Sequence, residues 1–261
     1  MLRKAASKPK ARLRGAALLG TLGLYFTFLL GLPAAAETVA PAKGFDAVKS
    51  IGVISAVGDS IHAGTKGLTV FSTHEDQISI LDMGLDGDLE KFVSEKINPR
   101  FNVQPIQFDR AQFSTSKDPE FVTIGTPPPP IAALVKALDA PVDAYLVISK
   151  AAVPFGVNEQ ALRPGFNIGK GGAFTDTFEM YAFIDITLFD ARTHLKLAHA
   201  VYPAPISRLW GGTVESLPFN GSLWPTDLQH FTQMQHDQLK DILSDDLHLI
   251  VSKGLGRMGL L

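Results

Sequence analysis

In the stretch Thr177-Phe-Glu-Met-Tyr-Ala-Phe-Ile-Asp-Ile-Thr-Leu-Phe189, apolar side chains recur at every second position, and a second β-like run extends from His194 to Tyr202. Alternation with period two is typical of a strand that buries one face. The four residues Asp190-Ala-Arg-Thr193 between the runs are enough for a tight turn. The two runs therefore predict an antiparallel hairpin late in the chain.

Aromatic residues of this hairpin and of the following loop form a predicted binding surface. The second face of the first strand mixes aromatic and polar residues, so we expect it to be only partly covered. The loop from Pro203 to Pro225 is long and carries two tryptophans. The alternative is that the tryptophans pin the loop to the domain. The residues of the predicted surface are Tyr181, Phe183, Phe189, Trp210 and Trp224.

Upstream patterns predict helices alternating with strands. An apolar run from Ile51 to Val57 and turn residues at 63–67 predict a hairpin across residues 50–73. Apolar residues at three- and four-residue steps predict a helix over 85–97, ended by Asn98-Pro99. Similar patterns predict strands at 77–81, 101–108 and 143–149, a loop over 109–130 and a helix from Ile131 to Leu138.

The C-terminal segment predicts one long helix from Asp227 to about Ser252. Thr226 and Gln229 have the spacing of a capping box at its start. The whole order predicts an α/β or α+β fold: a single-domain layered sandwich with a mixed sheet, an early hairpin, a late antiparallel hairpin and a long C-terminal helix.

The N-terminal 36 residues predict an export signal. Six basic residues precede an apolar run over 16–32, and Ala34-Ala-Ala36 offers small residues before Glu37. We expect cleavage near Ala36/Glu37 and a periplasmic or secreted product. The alternative is a retained membrane anchor. The predicted organisation is a signal peptide over 1–36, a tether over 37–47 and one globular domain over 48–261.

Charge limits the classes of partner that the exported chain can bind. Of the 24 basic residues in the full sequence, six lie in the first fourteen positions. The exported chain keeps 18 basic against 26 acidic residues, a formal charge of −8. That balance argues against binding to nucleic acid or to an anionic membrane. There are no cysteines, so thiol chemistry and disulfides are excluded.

No motif indicates a cofactor, and we expect none. The glycine-rich run 165–172 lacks the spacing and the Ser/Thr of a phosphate-binding loop, so we interpret it as a mobile connection. His62 and His74 flank the first predicted hairpin, but histidines in exposed turns are common, and we expect no metal site.

Three short motifs resemble, in order, the conserved blocks of the GDSL or SGNH hydrolase family. They are Gly58-Asp59-Ser60, Gly156-Val157-Asn158-Glu159 and Asp227-Leu228-Gln229-His230. The resemblance implies a serine esterase or acylhydrolase in which Ser60 is the nucleophile, His230 the general base and Asp227 the residue that orients it. It also implies oxyanion donors near Ser60, Gly125 and Asn158. The alternative is that Asp227 and His230 are not catalytic and belong to the first turn of the last helix, which begins at the predicted capping box.

The overall pattern is also similar to small accessory domains of bacterial envelope assemblies, such as the amino-terminal domain of the Tol-system propeller protein. That resemblance implies a non-catalytic domain that binds an unidentified protein or small molecule in the envelope. We expect this function, with the serine esterase as the alternative.

Overall fold

The computed structural model of the protein describes residues 45–65, 74–115, 131–153, 162–170, 177–203, 216–225 and 231–261. The described elements all belong to the unit Thr38–Leu261. They are β1 (Ser50–Ala56), β2 (Ser60–Thr65), β3 (His74–Ser79), α1 (Leu85–Ile97), β4 (Asn102–Gln104), α2 (Arg110–Thr115), α3 (Ile131–Lys136), β5 (Ala144–Lys150), β6 (Gly165–Lys170), β7 (Phe178–Asp190), β8 (Lys196–Tyr202) and α4 (Gln233–Arg257).

The strands form one mixed sheet. β5 lies between β1, which is parallel to it, and β7, which is antiparallel. β4 adds to β1 in parallel, β8 pairs with β7, and β2 lies between β6 and the antiparallel β3. The predicted α+β layered sandwich, with its mixed sheet, two hairpins and long C-terminal helix, is confirmed.

The long strand β7 pairs with two shorter strands, β5 and β6, one after the other along its length. β5 ends with Lys150 opposite Ile184, and β6 begins with Gly165 opposite the next residue, Phe183. At the same level, residues 57–59 separate β1, which pairs with β5, from β2, which pairs with β6. We call this level, defined by residues 57–60, Lys150 and Gly165, the sheet junction.

Helices α1 and α4 cover one face of the sheet. Leu89 and Val93 of α1 and Leu243 and Leu247 of α4 belong to the same buried cluster as Leu146 of β5. Each fully buried side chain of this size stabilises the fold by about 1.5–3 kcal/mol relative to exposure. This cluster is the main core.

Helices α2 and α3 cover part of the other face. Phe113 of α2 and Val135 of α3 pack with Tyr145, Val147 and Phe189 of the sheet in a second buried cluster. The sheet is therefore covered on both faces where β1, β5 and the end of β7 lie. Among the described residues, no helix is long and apolar enough to cross a membrane.

The predicted first hairpin is wrong in its pairing. β1 pairs with β4 and β5, both in parallel, and the early hairpin is formed by β2 and β3 instead. The reason is that β1 lies inside the sheet and both its neighbours come from distant parts of the chain. The predicted strand at 68–71 lies outside the described residues.

Two further segments differ from prediction. α2 occupies the start of the predicted loop 109–130, where the Asp109 carboxylate accepts a hydrogen bond of 3.1 Å from the amide of Ala111. β6 lies in the glycine-rich run that was expected to be a mobile connection, because pairing with β2 and β7 provides its hydrogen bonds.

The two long helices differ in how well their predicted bounds agree with the structure. α1 has the predicted bounds. α4 begins six residues later than predicted, with Thr232 as N-cap and a capping box to Gln235, so Thr226 and Gln229 do not cap it. Asp227 and His230 precede this helix in the chain and lie outside the described residues.

Candidate functional site

Ser60, the predicted nucleophile, is the first residue of β2 and is 3% exposed. Its hydroxyl accepts a hydrogen bond of 3.2 Å from the ammonium of Lys150 and donates one of 3.3 Å to the carboxylate of Asp59. The serine is therefore held between a cation and an anion inside the sheet junction.

Lys150 closes this cluster from β5. Its Nζ lies 2.5 Å from Asp59 Oδ1, and only 9% of its side chain is exposed. Gly165 gives room to its stem, since a Cβ there would lie 3.1–3.2 Å from the Lys150 side-chain carbons. Gly165 also has φ +87°, a conformation that L side chains rarely adopt, so both the backbone and the nearby Lys150 stem disfavour a side chain there.

Asp86, in the first turn of α1, fixes the chain before Ser60. Its carboxylate accepts hydrogen bonds from the Ser55 hydroxyl at 2.6 Å and from the amides of Val57 and Gly58 at 2.8 and 3.2 Å. A Cβ on Gly58 would lie 2.9 Å from Leu85 Cβ. The Gly58-Asp59-Ser60 motif is thus shaped by the close approach of α1 to the end of β1.

Arg110 of α2 completes the polar network at the end of β1. Its guanidinium donates to the Ser55 carbonyl at 3.0 Å and pairs with Glu90 at 2.7 Å. Glu90 in turn accepts a 3.0 Å hydrogen bond from the Ser55 amide. These contacts satisfy polar groups that would otherwise be buried without partners, and they join α1, α2 and β1.

The chemistry of the cluster differs from that of an activated serine. A nucleophilic hydroxyl needs a neighbouring base that takes its proton. In the salt bridge with Asp59, the Lys150 ammonium donates a hydrogen bond to the hydroxyl oxygen and has no lone pair to accept the hydroxyl proton. Within the part of the chain that the structure describes, Ser60 has no hydrogen bond to a histidine.

The other predicted catalytic residues fall on undescribed parts of the chain. Asp227 and His230, the predicted oxyanion donors Gly125 and Asn158, and Trp210 of the predicted binding surface all lie outside the described residues. The resemblance to the GDSL motifs therefore stays a prediction at these positions.

The hairpin face is more covered than its sequence predicts. Phe183 and Phe189 are 0% and 2% exposed, because the former packs with Ala151 and the latter lies under α2 and α3. Their burial removes both rings from the expected exposed surface.

Tyr181 and Trp224, also on the predicted surface, are half-buried. The Tyr181 hydroxyl donates to Glu179 at 2.7 Å; burial, together with this carboxylate, raises the pKa of Tyr181. Trp224 lies against Phe178 with ring centroids 5.7 Å apart.

Two grooves lie away from Ser60. One, of about 540 Å³, runs between α1 and the edge strand β4 and is lined by Val53, Lys91, Gln104 and Ile106 among others. The second, of about 480 Å³, lies beside α4 and is called the α4 groove; its lining residues are Pro218, Phe219, Asn220, Ile242, Asp245 and Asp246. No group of three or more potential metal ligands occurs among the described residues.

Sequence reasoning missed Lys150 and Asp86. Lys150 ends an apolar strand and lies 90 residues from Ser60, so no local pattern links the two. Asp86 lies in the first turn of a helix, where an aspartate is favourable to the helix dipole whatever else it does, so its position alone does not indicate a buried acceptor.

Comparison with known proteins leaves the family open. No family model and no curated protein matches the chain. Among solved structures it is similar to protein XCC0632 from Xanthomonas campestris, described as family DUF330, with 12% identity, a TM-score of 0.33, and coverage of 81% of this chain and 84% of that one. A likeness at this level does not establish a shared fold.

Proposed function

We propose that this chain is an exported, non-catalytic binding or accessory protein of the bacterial envelope. The observation that supports it is the state of Ser60: the hydroxyl is buried and engaged by Lys150 and Asp59. A serine in this position contributes to the structure of the sheet junction and presents no oxygen to a substrate. The function then depends on surfaces away from the junction.

Export is supported by the sequence of the N-terminal segment. The basic residues, the apolar run and the Ala34-Ala-Ala36 site have the order of a signal peptide. Intact-mass measurement of periplasmic protein should give a chain that begins at Glu37. A full-length chain recovered from the membrane fraction would contradict cleavage and favour the anchor.

A serine esterase or acylhydrolase is the second candidate, and one contact favours it. The Lys150 nitrogen is 3.2 Å from the Ser60 oxygen, which is within reach for proton transfer. This route requires the loss of the salt bridge to Asp59, so that the amine becomes neutral. It also requires an opening of the junction, since both side chains are buried.

Ester hydrolysis separates the two candidates. Purified mature protein is assayed with p-nitrophenyl butyrate, together with Ser60→Ala and the control Ser94→Ala. Ser94 is a good control because its hydroxyl also makes an internal hydrogen bond, 2.6 Å to the carbonyl of Glu90. The binding role predicts no turnover that depends on Ser60. Turnover that is lost in Ser60→Ala and kept in Ser94→Ala would establish the hydrolase.

A further inference from the structure

Helix α4 carries a row of aspartates on one face. Asp237, Asp241 and Asp245 follow at four-residue intervals, so they are neighbours along the helix surface, and all three are exposed. Asp237 accepts a hydrogen bond of 2.8 Å from Gln233. In the described residues, no ion pair engages Asp241 or Asp245. Like charges at this spacing repel, and among the described residues no ion pair at Asp241 or Asp245 offsets the repulsion.

The α4 groove runs along the end of this row. Its acidic side is Asp245 with Asp246, and its apolar side is Phe219 and Ile242. Leu249, which is 51% exposed, lies one turn farther on the same face of α4. The groove thus combines an apolar contact surface with two adjacent carboxylates.

One carboxylate oxygen of Asp246 is unpaired within the described part of the chain. This atom, Oδ2, is buried and has no hydrogen-bond partner there. Burial, and next the charge of Asp245, raises the pKa of this carboxyl. A partly buried carboxylate without a partner is unfavourable, and a cation in the groove next to Asp245 and Asp246 would offset this cost.

The chemistry of the groove selects the class of ligand. Within the described residues no set of three side chains is placed to hold a metal ion, so the two carboxylates form an incomplete metal site. Nucleic acid and anionic lipid carry the same sign of charge as the row of aspartates. A lysine or arginine side chain matches the carboxylates in charge, and flanking apolar residues match Phe219, Ile242 and Leu249.

We propose that the α4 groove binds a segment of a partner protein that combines apolar residues with lysine or arginine. One cation of that segment pairs with the carboxylates of Asp245 and Asp246, while its apolar neighbours contact Phe219, Ile242 and Leu249. The inference specifies the partner for the proposed binding role and rests on that role.

Peptide binding tests the proposal. The probe is a short fluorescein-labelled peptide with lysine at every fourth position among leucine and alanine, compared with the same peptide carrying glutamate in place of lysine. Fluorescence anisotropy is measured with the mature protein at low and at physiological salt. We expect the lysine peptide to bind and the glutamate peptide not to bind. Affinity should fall with salt, because the contact is electrostatic.

Matched variants localise the site. Asp245→Asn with Asp246→Asn should weaken binding about tenfold or more, the usual cost of losing a paired charge at an interface. The control is Asp46→Asn with Glu95→Gln, which removes the same charge at exposed positions without ion pairs among the described residues and should leave affinity unchanged. Leu249→Asn changes an exposed side chain and should also weaken binding.

Three results would overturn the inference. These are equal affinity for the lysine and glutamate peptides, equal effects of the groove and control variants, and binding of Ca²⁺ alone that is lost in the groove variant, which would indicate a metal site. The ester assay tests the proposed role separately, so a failure of either statement can be recognised by itself.

Discussion

The sheet junction predicts a specific loss of stability when Lys150 is changed to methionine. Methionine keeps most of the stem that packs on Gly165 and removes the ammonium group. The variant loses the 2.5 Å pair with Asp59 and the 3.2 Å hydrogen bond to Ser60. Removing one partner of a buried ion pair costs about 3–5 kcal/mol. Asp59 is 24% exposed, so water offsets part of this loss, and we expect about 2–3 kcal/mol.

A double-mutant cycle with Asp59→Asn isolates the pair. Urea denaturation at neutral pH gives the free energies of unfolding for the wild type, both single variants and the double variant. The double variant should be less destabilised than the sum of the single variants, with a coupling of about 1–2 kcal/mol. A loss below about 0.5 kcal/mol in Lys150→Met, or additive effects, would refute the structural role of the cluster.

Three further predictions use the same stability measurement. Gly165→Ala should cost about 1–3 kcal/mol, because its φ of +87° and the Lys150 stem both oppose a Cβ, whereas Gly256→Ala, in open space on α4, should be neutral or stabilising. Asp246→Asn should stabilise the protein at neutral pH. The pKa of Asp246 in the folded protein is raised by burial and then by a neighbouring carboxylate, so its charge is unfavourable above that pKa. The difference in unfolding free energy between variant and wild type should vanish as pH falls below the ordinary pKa of an aspartate. Asp143 has a lowered pKa, chiefly because two backbone amides beside the start of β1 donate to it. Its contribution to stability is therefore present above the unfolded-state pKa of 3.8 and should be lost as pH falls through the folded-state pKa. This pH dependence should be absent in Asp143→Ala. An unchanged pH profile in either aspartate variant would contradict the corresponding contact.

Local sequence patterns were sufficient to predict α1, which covers the sheet, and the β7–β8 hairpin, whose two strands are neighbours in the chain. α1 has its predicted bounds because a single apolar stripe and Asn98-Pro99 define it. The β7–β8 hairpin is also confirmed, since alternation and a short turn specify both strands. β6 was missed because its residues are glycine-rich and its partners, β2 and β7, are set by the whole sheet.

The start of α4 shows a different limit. The sequence holds two capping boxes, Thr226 with Gln229 and Thr232 with Gln235, and both fit the same helix pattern. The structure uses the second, where Thr232 accepts from the Gln235 amide and Gln235 accepts from the Thr232 amide. In addition, Gln235 donates to the Trp224 carbonyl at 3.0 Å, a tertiary contact that no local pattern contains. The candidate site was underdetermined for the same reason: the contact between Ser60 and Lys150 depends on the register of the sheet.

The reactivity of Ser60 toward a fluorophosphonate tests the account most directly. This probe forms a covalent bond only with an activated, accessible serine, and peptide mass spectrometry locates the adduct. A hydroxyl buried between Lys150 and Asp59 predicts no adduct at Ser60 in the folded protein. Stoichiometric labelling of Ser60 that disappears in Ser60→Ala would contradict the account and establish a nucleophile.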